Sequence, residues 1–392
     1  MSSMLHSTYG SGAYGDGLYG GTGLIPGDTI PGAGGGITVW HELWRATIDN
    51  TLVEDISHNL VSNGSGVTMN HDRVITSQAT LRVIDTSLIN PYVDFLAVFQ
   101  NREYDDSGII ERDQLGLFTT PVPSGSRTIN RAEGVYTGHD LTAILGRYTF
   151  TDTYNIAQGV NRVDAVITIM ALAGITRHLI TPSARTFDTP VTFAAGTTYL
   201  EACNLILEGI GYYHLSCTPD GRLTSVASQD IRYVEPYATL TDDDLMREVE
   251  TQNTDTTVAN VIVVIQDNFS EPPLWAVRRN DEVDSPTSTE NIGVKSRTET
   301  RSNLADQAAV NALADRLLSE GRTFYQVAAV QTLPDPRVMN TRQTVDLELT
   351  GRLSIFNGRW RIRTASIGFV PDLSGPMLEI NRVTDAIEGT II

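Results

Sequence analysis

Cysteine is scarce in this sequence: Cys203 and Cys217 are the only two among 392 residues. Two thiols cannot make the dense disulfide framework of small secreted domains, so nothing points to an oxidising compartment. Cys203 falls on the apolar side of a predicted helix and Cys217 near the end of a predicted strand, where a free thiol acts as a small hydrophobe. Lysine is nearly missing. Lys295 is the only one among 28 basic residues, against 47 acidic ones, and the net charge is −19. Nucleic-acid binders concentrate Lys and Arg, so this balance argues against stable DNA or RNA binding. Long apolar runs are missing too. Ala165 to Ile175, the longest, is interrupted by Thr168 and falls well short of the roughly 20 residues a membrane helix needs. The N-terminus has neither a basic nor an apolar leader region, so no signal peptide is expected and the chain reads as soluble and made in the cytoplasm.

Catalytic signatures are absent as well. H-E-x-x-H, G-x-S-x-G, G-x-x-x-x-G-K-[ST] and C-x-x-C do not occur. The histidines (His6, His41, His58, His71, His139, His178 and His214) are scattered. His214 and Cys217 are close in sequence, but no second ligand pair follows to complete a zinc site. Asp105-Asp106 lacks EF-hand spacing and reads as a hairpin tip. Asp242-Asp243-Asp244 reads as a solvated acidic loop. No spacing flags a carboxylate pair of the kind glycosidases hold about 5 to 9.5 Å apart. The expectation is therefore no catalytic residue, no cofactor, no metal and no enzymatic activity.

What is present is a globular composition, 41% hydrophobic and 19% charged, in a chain long enough for two to four domains. Residues 1–36 are the exception. Tyr9-Gly10, Tyr14-Gly15 and Tyr19-Gly20 repeat every five residues within Ser/Gly/Asp filler, and so much glycine makes independent folding too costly in backbone entropy. The segment reads as an extended arm, and Tyr9, Tyr14 and Tyr19 are candidates for docking on a neighbouring subunit, since tyrosine is favoured at interfaces. Its two G-x-G-x-x-G matches have no strand before and no helix after, so they are not a dinucleotide site.

From Ile37 the pattern changes. Thr38 to Asp49, Val67 to Asn70, Gln78 to Asp85, Val93 to Gln100, Ile109 to Glu111 and Gln114 to Thr119 read as short strands, giving a first β domain over 37–138. An α/β stretch follows over 139–240. It has a short helix at His139 to Arg147, a second at Arg162 to Ala173 ended by Gly174, and a third opened by the Thr198-x-x-Glu201 capping box and closed by Gly211. A hairpin then turns at Pro219-Asp220-Gly221. Over 241–392 the spacing predicts a strand at Val258 to Gln266 and a polar loop and edge at 267–300. A helix at 302–320 follows, capped by Ser302 and stopped by Gly321, with Leu304, Ala308, Ala312 and Leu317 on its apolar face. Strands at Phe324 to Val330 and Thr344 to Thr350 flank a Leu333-Pro334-Asp335-Pro336 turn, and Arg359 to Phe369 and Met377 to Val383 supply the last two. The fold class is α+β, mainly β.

Several stretches resemble the baseplate hub, or tail-hub, proteins of bacteriophage tails, which are related to late control protein D and VgrG. They are Trp44 to Ile48, Ser65 to Arg82 and Leu117-Phe118; Thr197 to Ala202 through Ile210-Gly211-Tyr212; Pro219 to Leu223; Asn260 to Val263; and Leu333 to Arg337 with Trp360-Arg361-Ile362 and Pro376-Met377. The resemblance implies two tube-like β-barrel or sandwich domains per chain, with the α/β portion between them. Three copies would close a pseudo-sixfold ring, a homotrimer adapting a sixfold tail tube to a threefold tip, with DNA passing in transit through its lumen. It also implies contacts with neighbouring tail proteins (the distal tail ring, the tape measure, and tip or spike proteins) and a place at the virion tail tip. An acidic bore would repel phosphate, and the net charge fits one. A host-receptor adhesin and a peptidoglycan-degrading tail enzyme are the alternatives. Adhesins tend to expose aromatic-rich loops at a distal end, whereas most aromatics here fall in predicted strands or the leader.

Overall fold

A strand whose apolar and polar residues alternate must bury one face, and the chain contains enough such strands to dictate a sheet-based core. The computed structural model describes residues 28–31, 36–70, 73–104, 107–128, 131–229, 234–245, 249–253, 259–266, 273–283, 285, 287–301, 304–322, 326–333, 339, 344–369 and 377–382. Tyr9, Tyr14, Tyr19, Ser302 and the Pro334-Asp335-Pro336 turn lie outside the described residues.

In chain order, the first unit contains β1 (Asp28–Pro31), β2 (Gly36–Ala46), β3 (Leu52–Asp55), β4 (Leu60–Asn70), β5 (Ser77–Ile84), β6 (Phe95–Tyr104), β7 (Ile110–Thr119), β8 (Ser124–Thr128) and β9 (Arg131–His139). The α/β stretch holds α1 (Thr142–Arg147), β10 (Tyr154–Ile156), α2 (Arg162–Leu172), β11 (His178–Ile180), β12 (Val191–Phe193), α3 (Tyr199–Glu208), β13 (Ser216–Cys217) and β14 (Leu223–Ser225). The remainder is β15 (Ala238–Thr241), β16 (Glu250–Asn253), β17 (Val261–Gln266), β18 (Leu274–Arg279), α4 (Thr289–Ile292), β19 (Ser296–Arg301), α5 (Gln307–Arg322), β20 (Gln326–Gln331), β21 (Thr344–Glu348), β22 (Gly358–Gly368) and β23 (Met377–Arg382). The molecule is α+β and mainly β, as the sequence implied.

The strands at the two ends of the chain share one ten-stranded sheet, whose main path runs β16-β20-β23-β22-β4-β5-β9-β8. Among the described residues it stays open and does not close into a barrel. β22 is its seam. One edge pairs with β23, while the other pairs with β21 through Gly358 to Arg361 and with β4 through Thr364 to Gly368. Val67, Met69, Ala79, Leu81, Val83, Tyr136, Trp360, Ile362 and Ile380 all point into the same core. A five-stranded sheet (β1-β2-β6-β7, with β3 on β2) covers that core. Leu96 and Val98 of β6 belong to this core, while Phe95, Ala97 and Phe99 belong to the core of the α/β stretch. β6 is therefore buried on both faces, which is why Phe95 to Phe99 reads as a continuous apolar run.

Gly138 permits the close crossing of β9 over β7. A Cβ there would sit 2.6 Å from the Thr119 carbonyl oxygen and 2.9 Å from the Phe118 Cβ. Backbone cannot move aside cheaply, so Gly138→Ala is expected to destabilise the protein by about 1–3 kcal/mol. A denaturation midpoint unchanged from wild type would refute the crowding argument.

In the α/β stretch the helix signals hold. Asn161 caps α2 by accepting from Val163 N and Asp164 N, and Thr198 caps α3 by accepting from Glu201 N. Gly174 and Gly211 take φ of 77° and 74°, as residues beyond a helix end do. Leu200, Cys203, Ile206 and Leu207 pack against Val163, Val166, Ile169 and Met170 in one core. Both cysteines are free and buried.

Three expectations are corrected. Residues Ile109 to Glu111 and Gln114 to Thr119 form one strand, β7, because a bulge opposite Val98/Phe99 absorbs the irregular spacing. The stretch 267–300 is not only loop and edge: β18 and β19 flank β17, antiparallel and parallel respectively, in a three-stranded sheet. Their polar composition reflects edge positions with one wet face. α5 starts at Gln307, because Asp306 accepts from Ala309 N at 2.8 Å and caps it, and Gly321 lies inside the helix instead of ending it. Of the expected face, Leu304 and Leu317 are buried, as are Ala309 and Leu313 beside it, while Ala308 is exposed and Ala312 half-buried; Val310, Ala314 and Leu318 complete the buried stripe. Finally, Asp242–Asp244 is a 3₁₀ turn in which Asp242 accepts from Thr350 N and Oγ1 and Asp244 from Thr241 N and Oγ1. These acids staple backbone together while Asp242 and Asp243 stay exposed, so the stretch is solvated as expected and ordered as well.

Candidate functional site

Among the described residues no three His, Cys, Asp or Glu side chains are grouped to hold a metal. Burial pushes the Cys203 and Cys217 thiols up, away from reactivity. His41 is buried, stacks on Phe369 at 4.0 Å between ring centroids, and has its pKa lowered to about 3 by burial. Asp140 is buried between β9 and α1. Its carboxylate accepts from Thr76 Oγ1, Ser77 N, Thr142 N and Thr142 Oγ1, tying β5 to the start of the helix. Burial raises its pKa against the opposing pull of those hydrogen bonds. These are structural groups. Neither was singled out by spacing, because their partners come from distant parts of the chain.

The feature that stands out is a surface. The face of the ten-stranded sheet opposite its core is a polar wall. Ser366, Thr68, Gln78 and His139 lie on one rung across β22, β4, β5 and β9. Gly368, Gly66, Thr80 and Thr137 form the next. A shallow groove of about 450 Å³ runs beside the first rung, lined by Thr68, Asn70, Gln78, His139 and Thr364. Two ion pairs lie on this face, where Arg82 Nε donates to Glu133 at 2.9 Å and Arg359 Nε to Asp346 at 2.9 Å, and Arg361 and Glu348 add further charges beside them. Asp346 holds the Arg359 guanidinium above its ordinary pKa. An acidic wall, expected from the net charge of −19, is not what this face carries. It is hydroxyl- and amide-rich and carries arginines as well as acids.

A second feature is a joint. The unit made of β17, β18, β19 and α5 meets the α/β stretch through Glu208 at the end of α3. That buried carboxylate contacts Arg301 at 3.4 Å and Arg316 at 3.5 Å. Arg185 pairs with Asp306 at 2.5 Å, and Ala305 N donates to the Gly209 carbonyl at 2.9 Å. Beside the joint is a cleft of about 370 Å³ bounded by Arg162, Phe187, Gln266 and Arg301. Removing the Glu208 charge leaves two arginines facing each other with one acid fewer. Because Arg301 is partly solvated, Glu208→Gln is expected to cost only about 1–2 kcal/mol. Proteolysis should then cut between the two units before the sheets unfold. Equal proteolytic resistance in mutant and wild type would refute a latch at Glu208.

No helix among the described residues is long and apolar enough to cross a membrane. No protein-family model and no curated protein matches the sequence. Solved structures do match. A tail protein from Neisseria meningitidis aligns over 89% of this chain and 98% of its own, with a TM-score of 0.60 at 12% identity. A 43 kDa tail protein of prophage MuSo2 from Shewanella oneidensis aligns over 87% and 98%, with a TM-score of 0.56 at 11% identity. A prophage tail protein from Listeria monocytogenes aligns over 89% and 95%, with a TM-score of 0.54 at 10% identity. The chain has the fold of these phage tail proteins along nearly their full lengths.

Proposed function

We propose that the protein is a structural component of a phage tail: the hub of the tail tip, in which three copies close a ring that adapts the sixfold tube to a threefold end and forms part of the DNA channel. The observation that carries this reading is the open ten-stranded sheet. One face is a welded core, and the other is a broad polar wall. Such a wall suits a lumen: hydroxyls and amides line its rungs, and Arg82 and Arg359 are engaged by Glu133 and Asp346, which weakens their hold on phosphate, so DNA would pass without stable binding. The fold shared with tail proteins supports the same reading. In this reading the neighbours are the distal tail ring, the tape measure, and tip or spike proteins. Tyr9, Tyr14 and Tyr19 anchor the arm on an adjoining subunit, and the place of work is the virion tail tip.

An obligate ring buries well over about 2,000 Å² per interface. Light scattering of the purified full chain should therefore give three copies per particle, and averaged electron micrographs a threefold ring with a hole. A stable monomer at micromolar concentration, or a spike pointing off the axis, would sink the hub. The protein acts as a wall and not as an enzyme in this reading, so a peptidoglycan zymogram is expected to stay uncleared.

A further inference from the structure

The sequence holds two Asn-Gly pairs, Asn63-Gly64 and Asn357-Gly358. Asparagine followed by glycine is chemically fragile, because no side chain on the glycine shields the main-chain nitrogen that can attack the asparagine amide. Both asparagines are exposed, so access to water does not separate them. Their hydrogen bonds do.

Asn357 is clamped. Its Oδ1 accepts from Leu349 N at 2.6 Å and its Nδ2 donates to the Leu349 carbonyl at 3.1 Å, so both ends of the amide are held across the turn between β21 and β22. Swinging its Cγ toward Gly358 N breaks both bonds. Among the described residues none hydrogen-bonds the Asn63 side chain. Asn63 stands in a bulge: β4 pairs with β5 at Val61 and again at Gly66, and Ser62 to Ser65 fall between. The bulge is anchored at its far end, where Ser65 Oγ donates to the Val61 carbonyl at 2.6 Å and accepts from Arg82 N at 2.9 Å. One further contact reaches Asn63. Arg82 Nη1 donates to its main-chain carbonyl at 2.9 Å, and that carbonyl belongs to the same peptide group as Gly64 N. A cation on the oxygen draws electrons from the nitrogen and makes its N–H easier to deprotonate.

We propose that Asn63 is a site of spontaneous deamidation activated by Arg82, with isoaspartate as its principal product. Gly64 N gives up its proton to water and its lone pair attacks Asn63 Cγ. The amide nitrogen takes up a proton and leaves as ammonia, closing a five-membered succinimide. Water then opens the ring. Attack at Cγ gives aspartate; attack at the main-chain carbonyl carbon gives isoaspartate, with the chain now running through Cγ. The sum is one asparagine and one water in, one isoaspartate and one ammonia out. Arg82 polarises the main-chain carbonyl, which directs water there. In isoaspartate the oxygen that accepted from Arg82 belongs to the free carboxylate, so a neutral acceptor becomes a charged one. The new anion competes with Glu133 for Arg82 and adds negative charge to the polar face of the ten-stranded sheet. The reaction is independent of the hub reading.

Full-length protein aged in neutral buffer at physiological temperature, then digested and mapped by mass spectrometry, tests the site. The Asn63 peptide is expected to exchange its amide for a carboxyl and to become a substrate for an isoaspartate-specific methyltransferase, while the Asn357 peptide stays amidated. In denaturant both pairs lose their surroundings and should react at similar rates. The folded-state rate at Asn357 is expected to fall below the denatured one by about tenfold or more, the weight of two hydrogen bonds that must break first. Arg82→Gln removes the cation and should slow Asn63 by about threefold to tenfold, whereas Arg82→Lys keeps the charge and should retain most of the rate. Circular dichroism melts check that both variants fold, and the comparison of Asn63 with Asn357 in the wild-type protein stands without them. An Asn63 that reacts more slowly in the folded protein than in denaturant overturns the site. Equal ageing of Asn63 and Asn357 in the folded protein overturns selection by the Leu349 clamp. A wild-type rate in folded Arg82→Gln overturns the activation, and aspartate as the main product overturns the part of Arg82 in ring opening.

Discussion

Replacing Trp360 with alanine is expected to lower stability by about 3–5 kcal/mol, the largest loss from any single truncation of this core. Trp360 is fully buried and lies on β22, the seam that pairs with β21, β23 and β4. Removing the indole leaves a cavity beneath strands from both ends of the chain, and a sheet welded at one strand cannot collapse onto it without shifting register. Part of the loss is polar. The indole N–H donates to the Phe356 carbonyl at 2.8 Å, and an unpaired buried carbonyl costs about 1–3 kcal/mol. Trp360→Phe keeps most of the volume and isolates this second contribution, so its cost should fall to about 1–2 kcal/mol. Urea unfolding followed by circular dichroism measures both variants. A loss below about 1 kcal/mol for alanine would mean that β22 does not hold the two ends together.

Acid should weaken the protein through His41, and the sign follows from its burial. The folded-state pKa is about 3, against 6.5 for an exposed imidazole. Between those values the unfolded chain takes up a proton that the folded chain refuses, so stability is complete above about pH 6.5 and falls as the pH drops toward 3. At 1.36 kcal/mol per unit the full loss is on the order of 5 kcal/mol, of which roughly 3 kcal/mol is gone by pH 4.5. Many carboxylates also titrate in acid, and Asp140 acts in the opposite direction. Its raised pKa means that its folded-state preference for the proton erodes stability as pH rises above the ordinary carboxylate value. The informative quantity is therefore a difference. His41→Phe preserves a ring to stack on Phe369 and removes the titration, so the gap in melting temperature between variant and wild type should move in the variant's favour from pH 7 to pH 4.5. A gap constant over that range would show that His41 accepts its proton in the folded state.

Much of the fold was legible from local pattern. The alternation of Val345, Leu347 and Leu349 with Asp346 and Glu348 marks a half-wet strand, and those three aliphatic residues are buried while Glu348 is exposed. The caps at Asn161 and Thr198 and the glycines at 174 and 211 bound their helices because capping is settled within a few residues. The polar edge strands were not legible: Ser296 to Arg301 contains no apolar residue, and it becomes a strand only because the hydrophobic β17 offers an open edge. The start of α5 was misplaced for a related reason. Ser302 and Asp306 are both acceptable caps, and the choice went to the residue that also pairs with Arg185, more than a hundred positions away.

By itself the sequence determined the class of the protein and which faces of most strands are apolar. These depend on composition and on periods of two and 3.6 residues, which are local quantities. Only the tertiary structure decided that strands from the two ends of the chain share one sheet, that its polar face carries ion pairs at Arg82 and Arg359, and that Trp275 and Tyr92 are exposed. Those outcomes depend on which distant segments meet, and the energy of a rung, an ion pair or a buried histidine does not exist until they do.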